Sequence, residues 1–152
     1  MKIIITILIS MSLLNLASCR LGLEDLPVFD EADIISVSFE TRWVDTVTGV
    51  FKAQALTVSE YVMDNIAGTI SCKLTVPAAS NNFPAEIHNT VVLNKLLMYC
   101  KLSNAATVKP LGNTPVMGTI GDYSQSNLQY EVTAANGKTK KIWTIIITGF
   151  IK

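Results

Sequence analysis

Apolar and polar residues alternate along most of the chain after residue 34. This period of two is typical of strands that bury one face, because successive side chains of a strand point to opposite sides of a sheet. The residues predicted to face inward are Ile35, Val37 and Phe39, then Phe51, Ala53 and Ala55, then Ile70, Cys72, Leu74 and Val76, and finally Met98, Cys100 and Leu102. Pro77 marks the end of the third run, since proline cannot donate to a strand ladder. No segment predicts a long amphipathic helix, although residues 91–97 could form one helical turn.

The clearest local prediction is a hairpin near the C-terminal end of the chain. Apolar residues alternate with polar ones up to Asn136-Gly137, a pair that suits the two left-handed positions of a type I′ turn. A two-residue turn places Tyr130 directly opposite Trp143 on one face. The same register places Lys141 beside Val132 on that apolar face. Either the lysine reaches past the rim or a bulge shifts the register, and we expect the bulge.

The number of short strands predicts the fold class. About seven strands separated by turn signals indicate an all-β fold, an immunoglobulin-like antiparallel β-sandwich that occupies residues 34–152. Ile142 and Ile146 fall on the outward face of the last strand, and their hydrophobicity predicts that this face is partly covered.

The N-terminal segment predicts export and a lipid anchor. Lys2 is followed by an apolar run of 14 positions, 3–16, with four polar interruptions. This run is shorter than the roughly 20 apolar residues that cross a bilayer, so residues 1–18 are predicted to be a cleaved secretory signal. The run ends in Leu16-Ala17-Ser18-Cys19, which matches all four positions of a bacterial lipoprotein cleavage motif. Cys19 is therefore the expected lipid attachment site, and several acyl chains on one residue hold a protein stably to a membrane.

Composition and charge narrow the function classes. The chain is 49% hydrophobic, 16% charged and formally neutral, and a neutral chain lacks the basic surface that nucleic-acid binding requires. Part of the hydrophobicity belongs to the predicted signal, where 12 of 18 residues are hydrophobic. Five acidic residues surround Pro27 without any apolar period, so residues 19–33 are predicted to be a flexible acidic tether.

Several segments in the C-terminal half resemble a recurring module of gut-bacterial surface lipoproteins. In that module a strand ending in Leu-Ser and an Ala-x-Val-x-Pro segment precede a Tyr-x-Val-x-Ala strand, an Asx-Gly turn and a closing aromatic-Thr-Val strand. The matching segments here are 102–103, 106–110, 130–134, 136–137 and 143–145. The resemblance covers residues 97–149 well and residues 34–77 loosely. It implies an immunoglobulin-like domain of unknown function, often encoded beside starch-utilisation-type glycan systems, and it carries no catalytic residues.

The residues that could support catalysis are few and scattered. His88 is the single histidine, and neither a Cys-x-x-Cys nor a His-x-x-x-His spacing is present, so we expect no metal site and no cofactor. Five carboxylates lie in no recognisable glycosidase pattern; they are Glu60, Asp64, Glu86, Asp122 and Glu131. We therefore expect a protein that is not an enzyme.

Cys72 and Cys100 have two alternative interpretations. Both have inward parity on different predicted strands, and an exported protein meets an oxidising compartment, so they are a candidate disulfide. Small apolar cysteines also fill cores as unreactive thiols, and a bond requires Cα atoms within about 7 Å.

Binding is the more natural expectation. Arg42 and Trp43 follow the first strand where the alternation breaks, which makes them the candidate ligand contacts. We expect a lipid-anchored protein of the cell envelope, at the outer membrane on its periplasmic or surface face. There it would serve as an accessory or protein-interaction module of an outer-membrane protein complex. The alternative is a glycan-binding surface protein of a polysaccharide-utilisation system.

Overall fold

The computed structural model describes residues 28–152 of the chain. These residues form eight strands, one short α-helix and one 3-10 turn. In chain order they are β1 (Ile34–Val44), β2 (Phe51–Ala55), β3 (Thr57–Asp64), β4 (Thr69–Thr75), α1 (Ala85–Thr90), the 3-10 turn (Leu93–Lys95), β5 (Leu97–Leu102), β6 (Thr107–Pro110), β7 (Leu128–Thr133) and β8 (Lys140–Ile151). Within this part of the chain, neither helical segment has the length and hydropathy of a membrane span.

The strands pair into two sheets with the orders β2-β1-β5 and β3-β4-β8-β7-β6. Buried residues from both sheets form one core, and its largest side chains are Trp143, Tyr123, Tyr130, Phe39 and Phe83. The prediction of an all-β sandwich is confirmed. The antiparallel expectation is wrong for one pair, because β4 and β8 run parallel. Parallel strands need a long connection that returns the chain to the same end of the sheet, and the segment between β4 and β8 is long enough to do so.

Two parts of the predicted strand pattern are confirmed. On β4, Ile70, Cys72 and Leu74 are fully buried, as the alternation predicts. The C-terminal hairpin pairs Tyr130 with Trp143 directly, although the predicted type I′ turn is wrong, because Gly137 has a left-handed φ and Asn136 does not. The predicted facing pair therefore lies at the centre of the core.

The predicted inward faces of β1 and β2 are wrong in part. A register shift between Ile34 and Ser36 turns Ile35 outward, where it is 48% exposed, and Ile34 is buried in its place. On β2, the residues Phe51, Ala53 and Ala55 all face outward. A period of two separates the two faces of a strand but does not say which face meets the core, and slipping by one residue exchanges them.

The bulge expected near Lys141 is absent, since β7 and β8 pair continuously from Leu128↔Ile145 to Thr133↔Lys140. Val132 lies opposite Lys141, and the lysine reaches the rim of the sheet instead. Its Nζ lies 2.7 Å from Asp33 Oδ1 and 4.4 Å from the centre of the Trp143 ring. On the outer face of β8, Ile142 and Ile146 are 50% and 39% exposed, so residues 28–152 cover this face only in part.

The chain joins the sandwich before β1 begins. Ala32 is buried, and its carbonyl oxygen accepts a hydrogen bond of 3.0 Å from Trp143 Nε1. Ser103 N donates to Asp33 O at 2.9 Å. Residues 31–33 are therefore part of the folded domain and not part of a flexible tether. Phe29, also in the predicted tether, accepts a hydrogen bond of 3.1 Å from Asn136 N. The part of the tether up to residue 27, the signal at 1–18 and Cys19 lie outside the described residues.

Candidate functional site

The candidate site lies on the outer face of the three-stranded sheet, where β1 ends and β2 begins. Antiparallel pairing sets Val44 beside Phe51 and Arg42 beside Ala53. Phe51 is 77% exposed, a large value for a side chain of this size on a strand. An aromatic ring left in solvent is the informative exception to apolar burial.

A groove opens beside this ring, and we call it the Phe51 groove. Its volume is about 390 Å³, and it is lined by Arg42, Trp43, Val44, Phe51, Leu97, Gly118 and Ile120. The far wall is the segment 116–121, which is held to β5 where Gly118 N donates to Met98 O at 2.9 Å. Gly118 has φ +75°, a left-handed conformation that favours glycine, and it lies against the Tyr99 ring. The segment covers Leu97, which is only 2% exposed although it faces outward.

One edge of the groove carries a small polar cluster. Arg42 Nε lies 2.6 Å from Glu40 Oε1, and the guanidinium donates a second hydrogen bond to the Tyr99 hydroxyl at 2.5 Å. That hydroxyl in turn donates to Glu40 at 3.2 Å. The guanidinium charge is thus balanced within the protein, and the groove presents mainly apolar surface.

The backbone of β2 is open on the side away from β1. Leu56 N donates to Phe39 O and Asp45 N to Val50 O, both at 2.9 Å. These two bonds show which residues of β2 have backbone groups that point toward β1. Because alternate residues of an antiparallel strand bond to the same neighbour, residues 52 and 54 bond to β1. The backbone groups of residues 51, 53 and 55 therefore point outward. Among the described residues, one side chain reaches them, since Gln54 Nε2 donates to Ala55 O.

The turn between β1 and β2 is fixed by one carboxylate. Asp45 accepts hydrogen bonds from the backbone N–H groups of Val47 and Thr48 at 2.9 and 3.0 Å, and it pairs with Lys52 Nζ at 2.5 Å. The Lys52 hydrogen bond, helped by these two N–H groups, holds the pKa of Asp45 well below its ordinary value. The turn thus presents the exposed side chain of Val47 on a defined backbone.

The two predicted ligand contacts both line the groove, but their side chains lie on opposite faces of the sheet. The Arg42 side chain is on the outer face, as that of a contact residue would be. Trp43 is half-buried, and its ring packs on the opposite face, 5.6 Å from the ring of Phe83, so it is not an exposed platform. Phe51 is the exposed aromatic residue that sequence reasoning placed inside.

Of the two alternatives for Cys72 and Cys100, the structure has the free thiols and not the disulfide. Cys72 is buried in β4, whereas Cys100 lies in β5 of the other sheet with its Sγ 3.1 Å from Met117 Sδ. Burial raises the pKa of each thiol to about 11. Both groups therefore stay protonated at neutral pH, which makes them weak nucleophiles.

The other ionisable residues singled out from the sequence lie apart from one another. Glu131 pairs with Lys109 and Lys140 at 3.0 and 3.2 Å, and these contacts lower its pKa. Glu60 pairs with Lys73 at 3.0 Å, and His88 lies on α1 with its ring 5.8 Å from that of Phe83. No group of three or more His, Cys, Asp or Glu residues between 28 and 152 is arranged to hold a metal ion.

The described residues define a small β-sandwich domain with an apolar groove beside the open edge of β2. The chain belongs to the DUF5018-related family, whose model matches residues 34–146. Among solved structures, it is similar to a "putative secreted protein" from Bacteroides fragilis NCTC 9343, with a TM-score of 0.72 and 32% identity over 82% of this chain and 99% of that chain. A "putative glycoside hydrolase" from Bacteroides thetaiotaomicron matches with a TM-score of 0.45 and 22% identity over 83% of this chain and 27% of that chain. No protein with a curated description matches this chain.

Proposed function

We propose that this protein is a non-catalytic, membrane-tethered lipoprotein that acts as a protein-interaction module of a cell-envelope complex. The observation that carries the proposal is the open edge of β2 beside the Phe51 groove. An open edge offers backbone hydrogen bonds to an added strand, and the exposed ring of Phe51 beside that edge offers apolar contact to side chains of that strand. The partner in this proposal is a polypeptide that binds in an extended conformation.

Two observations support the location. The lipoprotein motif at residues 16–19 is complete in the sequence, and the similar Bacteroides fragilis protein is described as secreted. An extracytoplasmic protein attached through Cys19 fits both. We place it at the outer membrane, where such a domain would meet other envelope proteins.

Site-specific photo-crosslinking of the full-length chain in membranes tests the proposal. A photoreactive phenylalanine analogue replaces Phe51 in one variant and Ile66 in the control, because Ile66 is 99% exposed but lies in the turn between β3 and β4. We expect a crosslink to a polypeptide from position 51 and none from position 66. Equal crosslinking at both positions, or none at position 51, would contradict the proposed surface.

Glycan binding is the second candidate, and one observation favours it. An exposed aromatic ring next to an arginine is an arrangement that can stack on a sugar and bond to its hydroxyl groups. The guanidinium of Arg42 is already bonded to Glu40 and Tyr99, which leaves fewer donors for a sugar. Electrophoresis through polysaccharide-containing gels separates the two candidates. Retardation that Phe51→Ala abolishes and Phe51→Trp retains would favour the glycan.

A further inference from the structure

The open edge of β2 is complementary to itself, and we propose that it pairs antiparallel with β2 of a second copy of this chain. The inference rests on the proposed function, because it names the partner of the same edge. β2 consists of Phe51, Lys52, Ala53, Gln54 and Ala55. Its first, third and fifth residues are those whose backbone groups point outward.

A two-fold axis at Ala53 brings these groups into register. Ala53 then faces Ala53 of the second copy, and Phe51 faces Ala55 of the second copy. Residues that face each other in this way exchange two backbone hydrogen bonds in an antiparallel ladder. One acceptor in each chain is shared, because Ala55 O already receives Gln54 Nε2.

The side chains on the outer face fit the same register. Facing residues of two strands have their Cβ atoms about 5 Å apart. Phe51 would therefore lie beside the methyl group of Ala55, and Ala53 beside another Ala53. A large ring next to a small side chain fills the row without a clash. The pairing removes from water a ring that is 77% exposed in the single chain.

Charge favours this register over its neighbour. A shift of two residues would place Lys52 directly opposite Lys52 of the second copy, and like charges in facing positions are destabilising. With the axis at Ala53, Lys52 faces Gln54 instead. The nearby charges are already balanced within each chain, because Lys52 pairs with Asp45 and Arg42 with Glu40.

The other sheet edges in residues 28–152 carry features that oppose such pairing. β6 has four residues and ends at Pro110. β3 is interrupted by a register shift around Glu60, which has φ +49°. The outer side of β5 is bonded to the segment 116–121 through Gly118 and Gly121. Short strands, charged side chains, prolines, bulges and covering loops are the usual protections of an edge. β2 is short and carries Lys52, but this lysine pairs with Asp45, and β2 has no proline, bulge or covering loop among the described residues.

Antiparallel pairing also constrains how two anchored copies can meet. The chain joins each domain at the start of β1, so the two N-terminal connections lie at opposite ends of the paired strands. Both predicted anchors at Cys19 reach one membrane when the strands lie along its surface. The pairing is therefore best tested with the full-length chain in membranes.

Cysteine crosslinking provides the first test. In the proposed dimer the two Ala53 Cα atoms are about 5.5 Å apart, within the Cα range of a disulfide, and the Cβ atoms have to approach by only about 1 Å for the bond to form. Under mild oxidation, Ala53→Cys should shift from the monomer to the dimer mass on a non-reducing gel. The unmodified chain, which retains Cys72 and Cys100, and Ile66→Cys are the controls. Equal dimer from Ile66→Cys, or no dimer from Ala53→Cys, would overturn the inference.

Variants with opposite charges at Ala53 provide the second test. They distinguish a specific loss of pairing from misfolding of the domain. Copies with two different tags are purified together in mild detergent. A53R alone and A53E alone should each lose about tenfold in dimer affinity, because like charges then face each other at the axis. Mixing A53R with A53E should restore co-purification, which a misfolded domain would not do. Co-purification that is unaffected by A53R overturns the inference. A different polypeptide crosslinked at Phe51, with no second copy crosslinked at Ala53, overturns it as well but leaves the proposed function intact.

Discussion

Lys141 can lie on an apolar sheet face because three groups contact its ammonium and compensate its charge. They are the carboxylate of Asp33, the carbonyl oxygen of Asn65 and the face of the Trp143 ring. A lysine opposite Val132 without partners would bury a charge at high cost, which is why the sequence alone favours a bulge. Asp33 is 108 positions away in sequence. No local pattern could reveal it, so this interaction lies outside the reach of sequence reasoning.

We expect Lys141→Met to lower the free energy of unfolding by about 1 kcal/mol, since it removes a half-exposed ion pair and a cation–π contact. Lys140→Met is the matched control. Lys140 is a neighbour in the same strand, but it is more exposed and shares Glu131 with Lys109. Urea denaturation of both variants gives the comparison. Equal losses would show that the contacts of Lys141 add nothing beyond those of an exposed lysine.

Two core tyrosines differ in how their hydroxyl groups are bonded. Tyr130 donates to Pro115 O at 2.9 Å, whereas the Tyr123 hydroxyl is buried and has no partner among residues 28–152. Removing a bonded hydroxyl leaves its acceptor without that partner, but removing an unbonded one relieves a desolvation cost. We expect Tyr130→Phe to destabilise the domain by about 1 kcal/mol and Tyr123→Phe to be neutral or stabilising. Thermal unfolding checks both, and the reverse order would contradict the assignment.

At the scale of elements, alternation located the strands better than it oriented them. In β4 and in the β7–β8 hairpin the predicted face is the buried one, because bulky apolar residues occupy it without interruption. β2 does not, because Phe51, Ala53 and Ala55 alternate with Lys52 and Gln54 in a strand that lies at an edge. Its inner face meets little core, so the pattern carries no information on which side is buried. The groove could not be predicted for the same reason.

The turn between β3 and β4 depends on a glycine that touches another strand. Gly68 has φ +65°, and a Cβ at this position would collide with the carbonyl oxygen of Ile142 in β8. Gly137 has φ +68° but open space around it. The left-handed backbone costs each alanine variant about 1–2 kcal/mol, and the collision adds to this cost in Gly68→Ala. We therefore expect a larger fall in melting temperature for Gly68→Ala, and equal falls would contradict the packing.

At the scale of the whole molecule, residues 31–33 tie the two sheets together. Ser103 follows β5 of one sheet, and Trp143 lies in β8 of the other. Both bond to the backbone of this segment. Its acidic composition is that of a solvated tether, but Asp33 is a partner of Lys141 and Ala32 is buried. Composition could not reveal this, because both partners are distant in sequence.

Truncation tests the contribution of these contacts. A chain that begins at Ile34 loses the bonds to Trp143 and Ser103 and leaves the Trp143 N–H buried without an acceptor. We expect it to melt at a lower temperature than a chain that begins at Val28, which keeps these bonds. Each lost buried hydrogen bond costs about 1 kcal/mol. Equal melting temperatures for the two chains would show that the segment only rests on the surface.

The last strand of the chain is the middle strand of the larger sheet. β8 lies between β4 and β7 and carries Trp143, the largest fully buried side chain. A chain synthesised from its N-terminus cannot close this core until β8 has emerged. Before that, the pair β3–β4 and the pair β6–β7 lack the strand that joins them into one sheet. Folding of this domain is therefore a single late event dominated by distant contacts. In the exported protein that we propose, this delay would keep the chain unfolded until it has crossed the membrane.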